Sequence, residues 1–354
     1  MPPPHRSQPL SKTTLPPTLK SLPPAVLFSD SPTPTKLVPN IRSLSWSPTG
    51  AHIATSTTAH IRIWNPDRPV VRASTELRNA HAGTPATVDK LAFCPVRDAL
   101  LASTGADAAA RLRDLRAPAA PRPAAAAPLA DPGLALAWHP AGTALVATTT
   151  DPRGKDDRVH ALDVRRLHAA DGSQSPLWTL STSARCPPPA RRLHGLAFSN
   201  SGRELFLTTA DGPVRIVSFP QGEALHALAA HADASYAVAA SPAGTCVAVG
   251  AADSLVTLWD TARWRCAHAL AAQPGPVRDL AFSFDGAFLT AAAGIDARDA
   301  APGLPVYHVD AAEVVHTLPT DHPVTLTAWH PFRYWLAYAG DSGGLRVLGA
   351  GSAI

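Results

Sequence analysis

His81 and His231 each stand just ahead of a segment with strand-like alternation, and Asp107 and Asp253 each sit in a short turn. Asp253 precedes Trp259 by six residues, and Asp107 precedes Arg113 by the same interval. A histidine between a hydroxyl and a carboxylate is the constellation that moves protons in hydrolases. Its recurrence argues against that chemistry here. A catalytic set is needed once, whereas a polar network that stiffens a structural unit is needed in every unit. The histidine, a strand hydroxyl, the turn aspartate and an indole N–H have complementary donors and acceptors, so they can share one buried hydrogen-bond chain. The expected network is His81, Asp107, His231, Asp253 and Trp259, with Arg113 replacing a Trp and Thr58 standing where the first unit's Asp would be.

No other pattern carries chemistry. The chain has no P-loop, G-x-G-x-x-G or H-E-x-x-H. The fifteen histidines are scattered, and the pair His226 and His231, five residues apart, shares a face in neither helix nor strand. The four cysteines lie far apart with no C-x-x-C, which excludes a zinc ribbon or disulfide framework and fits a reducing compartment. No enzyme, metal or cofactor is expected. No apolar run is long enough to span a bilayer, and the N-terminus has no apolar block behind a basic start.

The elements that position these residues come from an internal repeat. The phrase Leu44-Ser45-Trp46-Ser47-Pro48 returns around Phe93, Trp138, Phe198, Ala240, Phe282 and Trp329. The spacings are 47, 45, 60, 42, 42 and 47 residues. After each copy comes a strand, an Asp-containing turn and a second alternating strand; Ser254-Leu255-Val256-Thr257-Leu258-Trp259-Asp260 is the clearest. Seven copies near the four-stranded blade length predict an all-β chain, a seven-bladed β-propeller of the WD40 type. The last copy stops after its third strand, at residues 345–348. An open ring would leave an unpaired edge, so an N-terminal strand near residues 25–28 is expected to close it. The propeller is assigned to residues 21–350 and a disordered, basic, Pro-rich arm to residues 1–20.

Charge follows the same division. Residues 1–45 hold Arg6, Lys12, Lys20, Lys36 and Arg42 against Asp30, which accounts for the whole net charge of +4. The body is neutral, which does not favour nucleic acid as its partner. Two insertions are informative instead: residues 151–158, between the second and third strands of blade three, and residues 181–192, leading to blade four. Both loop types emerge on one face, so Arg153, Lys155, Arg158, Arg185, Arg191 and Arg192 should gather there as a partner-binding patch. Trp264 between Arg263 and Arg265 is a further candidate interface anchor, with packing against the blade edge the favoured alternative. The Ala/Pro stretch of residues 117–130 reads as a slack linker in place of an outer strand.

Four ordered phrases carry a family resemblance: residues 214–220 (VRIVSFP), 252–260 (ADSLVTLWD), 276–286 (PVRDLAFSFDG), and 327–332 (TAWHPF) running on to 336–339 (LAYA). Together they resemble the WD40-repeat subunit of the THO complex, the subunit 3 family, most closely from about residue 196 onward. That resemblance implies a non-catalytic scaffold of the nuclear THO/TREX assembly, coupling transcription and mRNA packaging to mRNA export. The implied partners are the large helical THO subunits and mRNA export factors, with RNA contact mostly indirect, no membrane, and a nuclear location. The alternatives are a WD40 scaffold of another nuclear or cytosolic assembly, or weak direct RNA binding through the basic arm and the arginine loops.

Overall fold

A computed structural model describes residues 6–28, 40–58, 60–68, 75–78, 80–81, 87–116, 125–153, 157–167, 178–181, 192–271, 274–293, 303–340 and 344–350. They form seven four-stranded antiparallel sheets, each a meander in sequence order except the last. The innermost strands are Ser43–Trp46, Val88–Phe93, Gly133–Trp138, Leu193–Phe198, Ser235–Ala240, Val277–Phe282 and Leu326–Trp329. Each meets its two neighbours, and the first meets the last, so the sheets stand as blades around a central channel.

The recurring phrase has a local cause. In five repeats the residue four after the key position is a glycine at positive φ (Gly50, Gly142, Gly202, Gly244, Gly286). Its N–H donates to the carbonyl three residues back, closing the turn between the first and second strands. That left-handed corner is open to glycine at little cost and strains an L side chain. The key aromatic then ties blade to blade: the indole N–H of Trp46 donates to Ala328 O at 3.0 Å, and that of Trp138 to Ala92 O at 3.0 Å.

The core is divided among the seams between blades. Ala54, Ile61 and Leu77 of blade one pack on Val88, Leu91 and Leu101 of blade two, for example. Val146 and Val159 of blade three pack on Leu193, Phe198 and Leu207 of blade four. Second strands are buried on both faces, as in Leu100–Gly105 and Ala144–Thr149, whereas the outer strands Ala224–Leu228 and Arg265–Leu270 are largely exposed. Stacking sheets face to face in a ring leaves solvent only at the rim and the two ends.

The seventh sheet runs Leu326–Trp329, Leu336–Gly340, Gly344–Leu348 and then Val26–Phe28. Val26 stands opposite Val347 and Phe28 opposite Leu345. Phe28 is buried, its ring edge-on to Trp64 of blade one at 5.8 Å.

Two expectations need correction. The arm is docked from Arg6 onward, not disordered. The helix Leu15–Ser21 buries Leu15 and Leu19 against Phe284, Leu304, Leu318 and Tyr334 at the seam of blades six and seven. The Ser7 N–H donates to Phe332 O at 2.8 Å, and the Leu10 N–H to the Tyr334 hydroxyl at 2.9 Å. Leu15 and Leu19, four apart, share a helix face, and the prolines at the first helical positions suit a helix start. The second correction concerns the Ala/Pro stretch: Ala125–Pro128 pairs with the third strand of blade two as an outer strand, while residues 117–124 lie outside the described residues.

Candidate interaction face

In an up-and-down meander, loops between blades and turns between second and third strands fall at one end of the channel. The other turns fall at the opposite end. His231 and Asp253 lie at the first of these ends, and their network is complete. His231 Nδ1–H donates to Asp253 Oδ2 at 2.8 Å, Thr257 Oγ1 donates to His231 Nε2 at 3.1 Å, and Trp259 Nε1–H donates to Thr257 Oγ1 at 2.9 Å. In blade two, His81 Nδ1–H donates to Asp107 Oδ1 at 2.6 Å and Ser103 Oγ to His81 Nε2 at 2.9 Å. The buried Arg113 takes the indole's place by donating to Ala80 O at 2.7 Å, and burial lowers its pKa.

Hydroxyl, histidine and carboxylate thus stand in triad order twice. The hydroxyls do not act as nucleophiles in this arrangement. Ser103 is 1% exposed and Thr257 6%, and Thr257 Oγ1 is already committed to the indole N–H. A nucleophile must be reachable by its substrate's carbonyl. Blade three varies the theme: the buried His160 lies between Thr149 Oγ1 (3.3 Å) and Thr179 Oγ1 (3.2 Å), and burial presses its pKa down to about 4. Among the described residues no group of three or more His, Cys, Asp or Glu could hold a metal ion.

The arginine loops meet through Asp157. This buried carboxylate accepts the Leu193 N–H at 2.7 Å and the Asp151 N–H at 3.2 Å, binding the insertion of blade three to the first strand of blade four. Burial pushes its pKa up, while those N–H donors and Arg192 pull against it. Arg153, Arg158 and Arg192 are thereby brought to one face. Arg158 faces Asp131 at 4.0 Å across half-exposed surface, and Arg153 and Arg192 are exposed. Lys155, Arg185 and Arg191 lie outside the described residues.

Trp264 does not join this patch. It occupies the turn between the third and fourth strands of blade five, at the opposite end, with φ +52°. Its half-buried ring stands edge-on to Phe206 at 5.9 Å. It packs one blade against the next.

A ring of residues at the channel mouth was legible in the repeat and missed. Four positions before each key residue stand Arg42, Asp89, Leu134, His194, Tyr236, Arg278 and Thr325. In blades two, three, five and six the strand register shifts at this residue, a bulge that turns it out of the ladder. Arg42 closes on Asp89 at 2.9 Å. On the other side the Arg278 guanidinium lies 4.4 Å above the Tyr236 ring, and His194 meets that ring at 5.0 Å. Burial depresses the His194 pKa, with Arg192 and Arg278 acting in the same direction. Among the described residues Arg278 pairs with no carboxylate. Next to it, Asp279 accepts the Thr327 N–H at 3.0 Å and the Leu280 N–H at 3.1 Å. Burial raises its pKa, opposed by Lys90. The face thus offers a stacked Arg–Tyr–His cluster beside Arg153, Arg158 and Arg192. Such groups are favoured in protein interfaces.

Comparison with known proteins agrees with this architecture. The WD domain, G-beta repeat family model matches residues 35–65 and 222–260, and the chain is a WD40-repeat propeller. It is 28% identical over 304 residues to the THO complex subunit 3 of Arabidopsis thaliana, covering 85% of this chain and 86% of that protein. It is 24% identical over 269 residues to the WD repeat-containing protein AAC3 of Dictyostelium discoideum, covering 69% of this chain and 51% of that one.

Proposed function

We propose, from the premise that this WD40-repeat propeller is of the THO subunit 3 kind, that it serves as a non-catalytic scaffold subunit of a nuclear THO/TREX assembly. In that role it couples transcription and mRNA packaging to mRNA export through protein contacts. Its partners are the large helical THO subunits and mRNA export factors, and its contact with RNA is mostly indirect. The single observation that carries the reading is the likeness to the Arabidopsis subunit, which runs through almost the whole of both chains. The neutral body and the burial of the triad-like groups found among the described residues support a binding role over a catalytic one.

The docking face we assign is the one that carries Arg153, Arg158, Arg192, Tyr236 and Arg278. Arginines and a half-buried, stacked tyrosine are the residue types enriched at protein interfaces, and their charge complements an acidic, partly apolar helix surface. The test is co-purification of a tagged full-length chain from nuclear extract at moderate salt. THO subunits should be recovered with it, and charge reversal of Arg153, Arg158, Arg192 and Arg278 should remove them. Undiminished recovery with the reversed chain rejects the face. Recovery of no THO subunit by the unaltered chain rejects membership.

A further inference from the structure

The end of the propeller away from that face has a feature of its own. Between blades two and three lies a cleft of about 990 Å³, at the top of the range for pockets that enclose a ligand. It continues into a second cavity of about 340 Å³ toward blade one, sharing Asp98, Ala99 and Arg116 with the first. Buried Leu100 and Val164 lie among its lining. Val96 stands at its edge, 58% exposed, yet held in place against Gly142, whose turn leaves no room for a Cβ beside the Val96 methyl. An apolar side chain both exposed and immobilised is set for contact, not for packing within the chain.

The charges are uneven in the same sense. The two lining carboxylates are engaged: Asp98 takes the Thr49 hydroxyl at 2.6 Å, and Asp114 is gripped by the Arg116 guanidinium, whose Nε lies 2.9 Å from one oxygen and 3.1 Å from the other. Arg97 and Arg165, both exposed in the lining, make no side-chain hydrogen bond or ion pair among the described residues. Two such guanidinium groups, unpaired among the described residues, beside a methyl surface select an anionic ligand that also carries an apolar side chain. Among the described residues no aromatic ring lines the cleft, so it lacks the stacking platform with which proteins hold single-stranded nucleic acid.

From this we infer that the cleft between blades two and three binds an extended acidic segment of a partner protein, its carboxylates on Arg97 and Arg165 and an apolar side chain against Val96. This second docking surface is independent of the face assigned above. The test uses the full-length protein and a fluorescein-labelled peptide of Glu and Asp with two leucines. At about ten residues it reaches about 33 Å when extended, enough to follow the groove. The expected result is saturable binding that weakens about tenfold or more in R97E/R165E, the scale measured for losing close charge pairs. It should weaken several-fold in V96S or when serine replaces the leucines. R97Q/R165Q separates lost attraction from added repulsion and should weaken binding in the same order. All three side chains are exposed, so melting temperatures should stay with the parent. Unchanged affinity in R97E/R165E overturns the proposal, as does absence of binding at millimolar peptide. It also falls if reversal of Arg153, Arg158 and Arg192 abolishes peptide binding instead, or if oligouridylate of similar length displaces the peptide.

Discussion

Acid should open the propeller at the seam between its last and first blades, through His330. This histidine is 3% exposed, in the turn after the inner strand of blade seven. Its Nδ1 accepts the Phe332 N–H at 3.0 Å and the Arg333 N–H at 3.1 Å. Its ring lies edge-on between Trp46 (4.8 Å) and Trp335 (5.5 Å), and Nε2 donates to the backbone of Gly50, where no Cβ would fit. Protonating Nδ1 ends both accepted bonds inside an apolar seam. Burial, aided by Arg333, therefore depresses the pKa to about 3, against the ordinary 6.5. A histidine whose folded pKa lies below its unfolded one contributes stability that is complete above the unfolded value and is lost as pH falls from there toward the folded value. The unfolded chain binds the extra proton in that window. The loss approaches about 1.4 kcal/mol per pH unit, or about 2 kcal/mol by pH 5. Urea unfolding of the parent and His330→Gln at pH 7 and pH 5 isolates this contribution. Other titrating groups, His160 included, act alike in both proteins and cancel. The variant should be less stable at pH 7, yet lose about 2 kcal/mol less than the parent on going to pH 5. Equal losses in the two proteins would refute the reasoning.

Three further outcomes test other parts of the fold. Asp253→Ala should cost about 1–3 kcal/mol, the usual price of orphaning buried partners; a chemical denaturation midpoint unmoved from the parent's would deny the blade-five network any stabilising role. Gly202→Ala should destabilise clearly more than Gly244→Ala. Both glycines have φ above +70°, but a Cβ at 202 would sit 2.2 Å from His139 Nε2 and one at 244 no closer than 3.6 Å to anything, so equal melting temperatures would contradict the turn-to-turn contact. Removing residues 1–22 should lower the melting temperature by uncovering Phe284 and Tyr334, and removing residues 1–30 should lower it further by also taking the strand Val26–Phe28. Identical melting of the two truncations would leave that strand without a role.

Much of this architecture was legible because one local event, the turn behind the inner strand, repeats at every blade, with a glycine corner in five of them, and leaves the same residues in phase. The mouth ring obeys that phase as well. It escaped notice because Arg42, Asp89, Leu134, His194, Tyr236, Arg278 and Thr325 share a position and no chemistry. The arm was hidden for a different reason. Its prolines, serines and threonines read as disorder, and the pair Leu15 and Leu19 has value only against a groove built some 270 residues later from Phe284, Leu304 and Tyr334. A helix this short is not stable alone. Trp264 and the blade-three arginines were read as one class of interface residue; strand parity puts them at opposite ends of the barrel of blades. The guanidinium groups of Arg97 and Arg165, unpaired among the described residues, had no signal in spacing at all, since a cation is marked out only by where its neighbouring carboxylates have gone.

The pairing of Val26 with Val347 sets a schedule for the chain as it leaves the ribosome. Six sheets are continuous in sequence and can complete themselves in turn as synthesis proceeds. The seventh needs segments from before the first blade and from the last, so of the described strands its outer one is the first to be made and the last to be used. At about 5–20 residues per second, the segment around Val26 waits tens of seconds for its partner. Closing a loop of that length also costs about 3 kcal/mol more entropy than closing a hairpin of about ten residues. Throughout that interval the nascent protein is an open arc with two free edges, Val26–Phe28 dangling at one and each newly finished sheet at the other. The pairing of Val26 with Val347 removes both at once.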